Sequence, residues 1–464
     1  MQSDGPNVAI GRHPFYDQTV PNLPFYRRYA DRRLAEALED SPAVLIHGPR
    51  QCGKTTLAQV VCAPRQLPWR NARAPWAESP EARGAEYAYF SFDDDVVRGG
   101  AEADPMGFVA SLPERVVLDE VQRVPGLFAA LKLAIDRRRV PGRFVLTGSS
   151  NALRVPTLAD SLAGRLQIVR LHPLAQSELA AGPAGATLPD PMPHFLDTLF
   201  HGRFPTRQTE PLGGQLRERI VAGGFPAALA RPAGRRRTAW YRDYVQAQLE
   251  KDVRDMARIT MLDALPRLLM LAAAQTATLL NVSNLASSFS LSRPSISAYL
   301  GLLERVFMLE LLRPWHSNRL RRLVKTPKLH IGDTGLACAL LGIDARGLAK
   351  HRGLLGQLLE SFVFQELRRQ ASWYDAHLEF FHYRDKDQVE VGIVIEQGAL
   401  ALAGVEVKAS GTVTGADFRG LRRLRRAVGD RFAAGVVLYD GEVCTSFGDG
   451  LFAVPIHTLW ETAT

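Results

Sequence analysis

Cysteine is scarce. The 464 residues hold four, Cys52, Cys62, Cys338 and Cys444, with no C-x-x-C pair and no matching histidine cluster. Neither a disulfide framework nor a structural zinc is indicated, and a reducing cytoplasm is the expected compartment. Long apolar runs are missing too. No stretch approaches the roughly 18 apolar residues of a membrane span, and the start, "MQSDGPNVAIGRHPF", has neither a charged n-region nor an apolar h-region. A soluble chain with no membrane partner is expected. Acid is short relative to base, 48 Asp and Glu against 57 Lys and Arg, for a net charge of +9. The excess gathers at "GRRR" (234 to 237), "RLRRLVK" (319 to 325) and "RGLRRLRR" (419 to 426), where a polyanion contact and a solvated helix face look the same in sequence. The length favours two to three domains, and a 46% hydrophobic content suits ordinary globular cores.

The strongest pattern present is "AVLIHGPRQCGKTTLAQVV", an apolar run, a glycine-bounded turn and a helical pattern. Gly48, Gly53, Lys54 and Thr55 fill G-x-x-x-x-G-K-[ST] directly after the predicted strand. Residues Gly48, Pro49, Arg50, Gln51, Cys52, Gly53, Lys54, Thr55 and Thr56 would cradle a nucleotide's phosphates. The loop turns backbone N–H groups onto phosphate oxygens, Lys54 reaches the outer phosphates, and the Thr55 hydroxyl coordinates magnesium at a helix N-terminus. ATP and Mg2+ are the expected cofactors.

A phosphate loop needs a second strand delivering an acid. "ERVVLDEVQRV" supplies Asp119, to hold magnesium, and Glu120, to orient or deprotonate the attacking water. Aspartate followed by glutamate favours hydrolysis over kinase chemistry. A third strand, "RFVLTGSSN", ends where Thr147 or Ser149 would sense the outer phosphate. "DSLAGRLQIVRL" presents Arg165, either an arginine finger acting on its own or a neighbour's nucleotide or a structural ion pair. A finger supplied in trans makes the working unit a homo-oligomer. "EYAYFSFDDD" reads as a further strand whose Asp93 to Asp95 run solvates its end. Strands alternating with helices over 40 to 172 predict an α/β fold, a parallel sheet wound with helices.

"AAGPAGATLPDPMPH" breaks helices and reads as linker. From about 215 to 310 the period is helical, and "WYRDYVQAQLEKDVRDMARI" places Tyr244, Leu249, Val253 and Met256 on one stripe. "LLNVSNLASSFSLSRPSISAYLGLLERVFMLELLRPW" predicts helix, turn, helix and extended segment, with Ser292-Arg293-Pro294 as a cap and Ile296, Leu300 and Leu303 buried. That is the outline of a winged helix-turn-helix, with Arg293, Ser295, Ser297 and Tyr299 on its open face. The face is poor in Lys and Arg, so a packing or protein-contact module competes with DNA docking.

Near the end, "VEVGIVIEQGALALAGVEVKAS" pairs two apolar runs across a glycine turn. Alternation puts Glu406 and Lys408 on one strand face, and helical "GQLLESFVFQELRR" offers Glu360 as a further acid. Acids converging beside a lysine at a sheet's open end suit a magnesium-dependent nuclease.

Taken together, "GPRQCGKTTL", "VLDEVQ", "LTGSSN", "SLAGR", "GGFP", "KTPKLHIGDTGLA" and "GVEVKAS" resemble a large group of bacterial and archaeal ATPases, over about residues 25 to 460. In that group an AAA-type P-loop domain, a parallel sheet with helices on both faces, precedes an uncharacterised C-terminal region. That region has an α-helical winged-helix-like part and a small α/β part of restriction-endonuclease-like, PD-(D/E)XK, fold. The resemblance implies ATP at Gly48 to Thr56, Asp119 and Glu120 as the Walker B pair, Arg165 as a finger and Glu360 as the helix acid. It divides the chain into an extension (1–30), an ATPase domain (31–180), a linker (181–214), a helical part (215–330) and an endonuclease-like part (331–464). Where the family reads E-V-D, this chain reads Glu390-Val391-Gly392. Glu390 lies two residues away, roughly 6.6 Å along a strand, too far for a magnesium shell of about 2.1 Å without rerouting. A degenerate, non-cleaving site of Glu360, Glu390, Glu406 and Lys408 is therefore expected. The resulting expectation is an ATPase whose C-terminal parts engage DNA or a protein partner. The alternative is a DNA-associated regulator with ATP as a structural ligand.

Overall fold

The computed structural model describes residues 26–62, 87–149, 162–182, 195–250, 264–317 and 326–461. Five short apolar runs form parallel strands: β1 (Ala43–His47), β2 (Ala88–Ser91), β3 (Val116–Asp119), β4 (Phe144–Gly148) and β5 (Leu166–Arg170). Their order in the sheet is β2-β3-β4-β1-β5, and every neighbouring pair is parallel. The central strands are apolar throughout because both faces are covered. Leu45, Leu118 and Leu146 point to one face and pack with Leu127, Phe128 and Leu131 of helix Leu127–Arg137. Val44, Ile46, Val117 and Val145 point to the other. They meet Ala30, Leu34 and Ala37 of helix Ala30–Asp40, with Leu57 and Ala58 of helix Lys54–Cys62. This arrangement is that of a P-loop α/β domain, with the loop after β1 at the sheet's C-terminal edge.

A helical part follows. Tyr244 and Leu249 are buried as the stripe predicts, while Val253 and Met256 lie outside the described residues. Helices Val282–Phe289 and Arg293–Arg305 are joined by a short turn, and the Ser292 hydroxyl caps the second by accepting from Ser295 N at 3.2 Å. Ile296, Leu300 and Leu303 are buried. Tyr299, expected on the open face, is buried too, because it lies one turn from Ile296 and Leu303 and widens their stripe. Strands β7 (Thr278–Leu279), β8 (Leu309–Leu312) and β9 (Lys328–Ile331) form an antiparallel sheet in the order β7-β9-β8. The basic run from 319 lies outside the described residues.

The third layer is a seven-stranded sheet. Its members are β6 (Arg207–Gln208), β10 (Leu378–Arg384), β11 (Glu390–Gln397), β12 (Ala401–Lys408), β13 (Phe432–Tyr439), β14 (Val443–Ser446) and β15 (Leu451–Pro455). They run β10-β11-β12-β13-β15-β14-β6. One face packs on the long helix Arg352–Ala371 through Phe362, Val363, Ala403 and Val436. The other packs on helix Arg419–Val428 through Leu421, Leu424, Val394 and Val437. The linker expected over 181–214 is corrected over its later half. Helix Phe195–His201 buries Phe195, Leu196 and Leu199, and β6 extends the C-terminal sheet by pairing with β14. Their burial in a core remote in sequence overrides the local glycine and proline signal. Residues 1–25, most of the expected extension, are outside the described residues.

Candidate functional site

The loop after β1 has a shape that its sequence dictates. A Cβ at Gly48 would lie 1.9 Å from the Leu171 carbonyl oxygen, so only glycine fits. Gln51 at φ 62° and Gly53 at φ 103° take left-handed conformations that curl the backbone. Lys54 opens the following helix, and its Nζ turns back to donate to Pro49 O at 2.9 Å. The Thr55 hydroxyl faces Asp119, 3.3 and 3.2 Å from its two carboxylate oxygens.

Asp119 closes β3 beneath the loop. Tyr89 donates its hydroxyl to Asp119 Oδ2 at 2.7 Å, and Thr147 donates to Oδ1. The next residue, Glu120, is left-handed at φ 60°, a conformation costing a non-glycine residue on the order of 1 kcal/mol. Its N–H donates to Thr147 Oγ1 at 3.0 Å, and Gln122 Nε2 donates both to Glu120 Oε2 and, at 3.1 Å, to Ser149 Oγ. Lys54, Thr55, Asp119, Glu120, Thr147 and Ser149 are thus linked by direct bonds or adjacency at one sheet edge. The donor set of hydroxyl and carboxylate oxygens fits magnesium, and Thr55 and Asp119 are the residues that could hold it.

Arg165 does not join them. It precedes Leu166, which pairs with Ala43, while the loop follows His47, which pairs with Arg170. The strand between spans about 13 Å. Arg165 instead forms a two-pronged ion pair with Asp136, at 2.6 and 3.1 Å, on the opposite edge of the sheet. The hydrogen bond from Arg165 holds the Asp136 carboxyl below its usual range. Two residues from outside the sheet do reach the loop: Arg28 donates to Cys52 O at 2.9 Å, and Tyr244 donates to Arg50 O at 3.3 Å. His47 packs against the Phe307 ring, tilted to it with centroids 5.3 Å apart, and burial, then the charges of Arg170 and Lys54, lower its pKa to about 4. It is neutral near pH 7.

The C-terminal acids also converge, around an unexpected centre. The β11–β12 ladder ends at the Ile393–Val405 pair, and Gly392 and Glu406 lie just beyond it. Lys328 of β9, fully buried, places its Nζ 2.8 Å from Glu360 Oε1 and 3.7 Å from Glu390 Oε1. Burial opposes its charge, yet the carboxylates of Glu360, Glu390 and Glu406 hold its pKa above the ordinary lysine value. Burial, then the Glu360 charge, pushes Glu406 up to about 8. Glu390, expected to fall short, reaches the group because the ammonium comes to it. Lys408, expected as the site's lysine, forms an ion pair with Asp417 at 2.5 Å, and the ammonium bonded to Glu360 is that of Lys328. Among the described residues no three carboxylates, imidazoles or thiols stand close enough to hold a metal ion. In the basic helix Arg419–Val428, Arg423 pairs with Asp385 and Asp387 and Arg425 with Asp449.

Sequence reasoning missed Arg28, Tyr89, Gln122, Tyr244 and Lys328. Gln122, two residues after Glu120, was the accessible one; the others act across long sequence separations that no local pattern marks.

Residues 40–180 match the model of an AAA domain. Residues 213–347 and 355–459 match two models described as domains of unknown function, DUF8612 and DUF4143. Two uncharacterised proteins, from Mycobacterium bovis and Mycobacterium tuberculosis, are each 27% identical over 441 residues, covering 94% of this chain and 85% of the relative. The matches divide the chain into an AAA-type P-loop ATPase domain and two C-terminal domains without assigned function. No helix of the described residues is long and apolar enough to cross a membrane.

Proposed function

From an AAA-type domain joined to two domains of unassigned role, we propose that the chain binds and hydrolyses ATP and passes its nucleotide state to the C-terminal domains, which engage DNA or a protein partner. The observation that carries the proposal is the bonded set of Thr55, Asp119, Thr147, Glu120, Gln122 and Ser149 beside Lys54. Magnesium bound by Thr55 and Asp119 would neutralise phosphate charge. Lys54 exchanges its Pro49 carbonyl for the outer phosphates, and Glu120, aimed by Gln122, orients the attacking water. Ser149 and Thr147 report the outer phosphate through the same bonds. Arg165 acts, in this reading, on the nucleotide of a second copy, which makes the active unit a homo-oligomer.

Cleavage of nucleic acid is not part of the proposal. The buried ammonium of Lys328 already stands among Glu360, Glu390 and Glu406, where a metal cation would compete with it, and Gly392 adds no ligand. Phosphate release by wild type and Lys54→Ala tests the ATPase reading: turnover in the first and not the second supports it, and none in either overturns it. Gel retardation at rising salt separates the partners, since phosphate contacts weaken steeply with salt. Retardation lost between low and physiological salt supports DNA; none at low salt leaves the protein partner.

A further inference from the structure

Two loop carbonyls are held from outside the sheet, and the consequence lies in the amides behind them. A trans peptide is planar, with its C=O and N–H on opposite sides. Arg28 NH1 bonds Cys52 O at 2.9 Å, so the Gly53 N–H of the same peptide points away from Arg28. Tyr244 OH bonds Arg50 O at 3.3 Å, and the Gln51 N–H is likewise turned away from Tyr244. Gln51 and Gly53 are the two left-handed residues of the loop, the backbone pattern that gathers N–H groups into an anion-binding concavity.

Both anchors are stiff. The Arg28 guanidinium also donates to His172 O at 2.6 Å and to Glu178 Oε1 at 3.1 Å, with Glu178 buried. These partners fix its plane, as a forked donor allows and a lysine does not. The Tyr244 ring stacks on Trp240 at 5.2 Å and 12° and touches Phe225 at 4.9 Å, so packing aims its hydroxyl.

We infer that Arg28 and Tyr244 are positioning residues for the nucleotide's phosphate groups, setting the peptide planes that present the Gly53 and Gln51 amides. Neither touches the phosphates. Tyr244 lies in a helix of the domain after the ATPase domain, so the loop is preorganised only while the two are docked. This rests on the ATP reading above.

The test measures affinity for a fluorescent ATP analogue, KM and kcat for ATP, and melting temperature, on the full chain. The proteins are wild type, Lys54→Ala, Tyr244→Phe, Arg28→Met and Arg28→Lys. Tyr244→Phe removes one hydrogen bond and keeps the ring packed, and should weaken ATP binding and raise KM about three- to tenfold, with kcat and melting temperature unchanged. Arg28→Met, which takes away the ion-pair partner of buried Glu178, should weaken binding more and lower the melting temperature. Arg28→Lys should recover the melting temperature and only part of the affinity. Wild-type affinity in Tyr244→Phe and Arg28→Lys, with binding lost in Lys54→Ala, overturns the inference alone. A fall in kcat and melting temperature without a rise in KM assigns both residues a merely structural role and also overturns it. Absence of binding in wild type overturns the ATP reading and the inference together.

Discussion

Lys328 Nζ lies 2.8 Å from Glu360 Oε1, although the two residues belong to different layers of the molecule, β9 of the small sheet and the long helix under the large one. A single buried ammonium therefore ties those layers together and offsets part of the negative charge between them. Removing one partner of a buried pair leaves an uncompensated charge, at a cost of about 3 kcal/mol. Lys328→Met should lose about that much in urea unfolding, and Lys328→Met with Glu360→Gln should recover part of it. Equal stability of Lys328→Met and wild type would mean that water, and not the ammonium, balances the acids.

Glu406 gives the group a pH signature. Its carboxyl is pushed up to about 8 in the folded chain from an ordinary 4.5, first by burial and then by Glu360. Between those values the folded state keeps a proton that the unfolded state has released, so rising pH costs stability across that window. Glu406→Gln removes the titration. Its stability relative to wild type should rise steadily from pH 5 to pH 8 in thermal melts; a difference that is flat or falls with pH contradicts the assignment.

Gly392→Asp, which restores the acid of the resembled pattern, should not restore cleavage. A Cβ at Gly392 lies 3.0 Å from Glu360 Oε1, and the added carboxylate enters a group whose cation is already present. Plasmid incubated with this variant and magnesium or manganese should remain uncut. Cutting that disappears on adding Glu406→Gln would show that the ammonium yields to a metal.

Arg165 should be irrelevant to nucleotide affinity in its own chain. Arg165→Ala removes the exposed pair with Asp136, at the edge of the sheet away from the loop. Equilibrium binding of the ATP analogue should be unchanged. A weakened affinity would place Arg165 in its own site; unchanged affinity with turnover recovered on mixing with Lys54→Ala would identify the neighbouring copy as its target.

The parts of the chain that were legible in sequence are those governed by local rules. The strand, glycine turn and helix around Lys54, the Asp119-Glu120 strand end and the cap at Ser292 each follow from residues within a dozen positions of one another. The failures share one cause, determination by distant neighbours. Lys408 matched a strand-spacing rule, but its partner, Asp417, sits in a turn that the rule does not see. Lys328 fills the place foreseen for Lys408 only because the fold brings β9 against the end of β11. Phe195 to Leu199, hidden beside a glycine- and proline-rich stretch, became helix because a sheet made more than two hundred residues later offered them cover. Tyr244 fitted a buried stripe correctly, yet its hydroxyl's reach to Arg50 O required the docked geometry.

Phosphate release by the Glu120→Gln variant is the most direct test of the account. With Asp119, Thr55 and Lys54 intact, the variant should bind ATP with wild-type affinity and release phosphate at least about a hundredfold more slowly, since a positioned base contributes factors of that order. Turnover equal to wild type would contradict the assignment of Glu120 and, with it, the hydrolytic site built around Asp119.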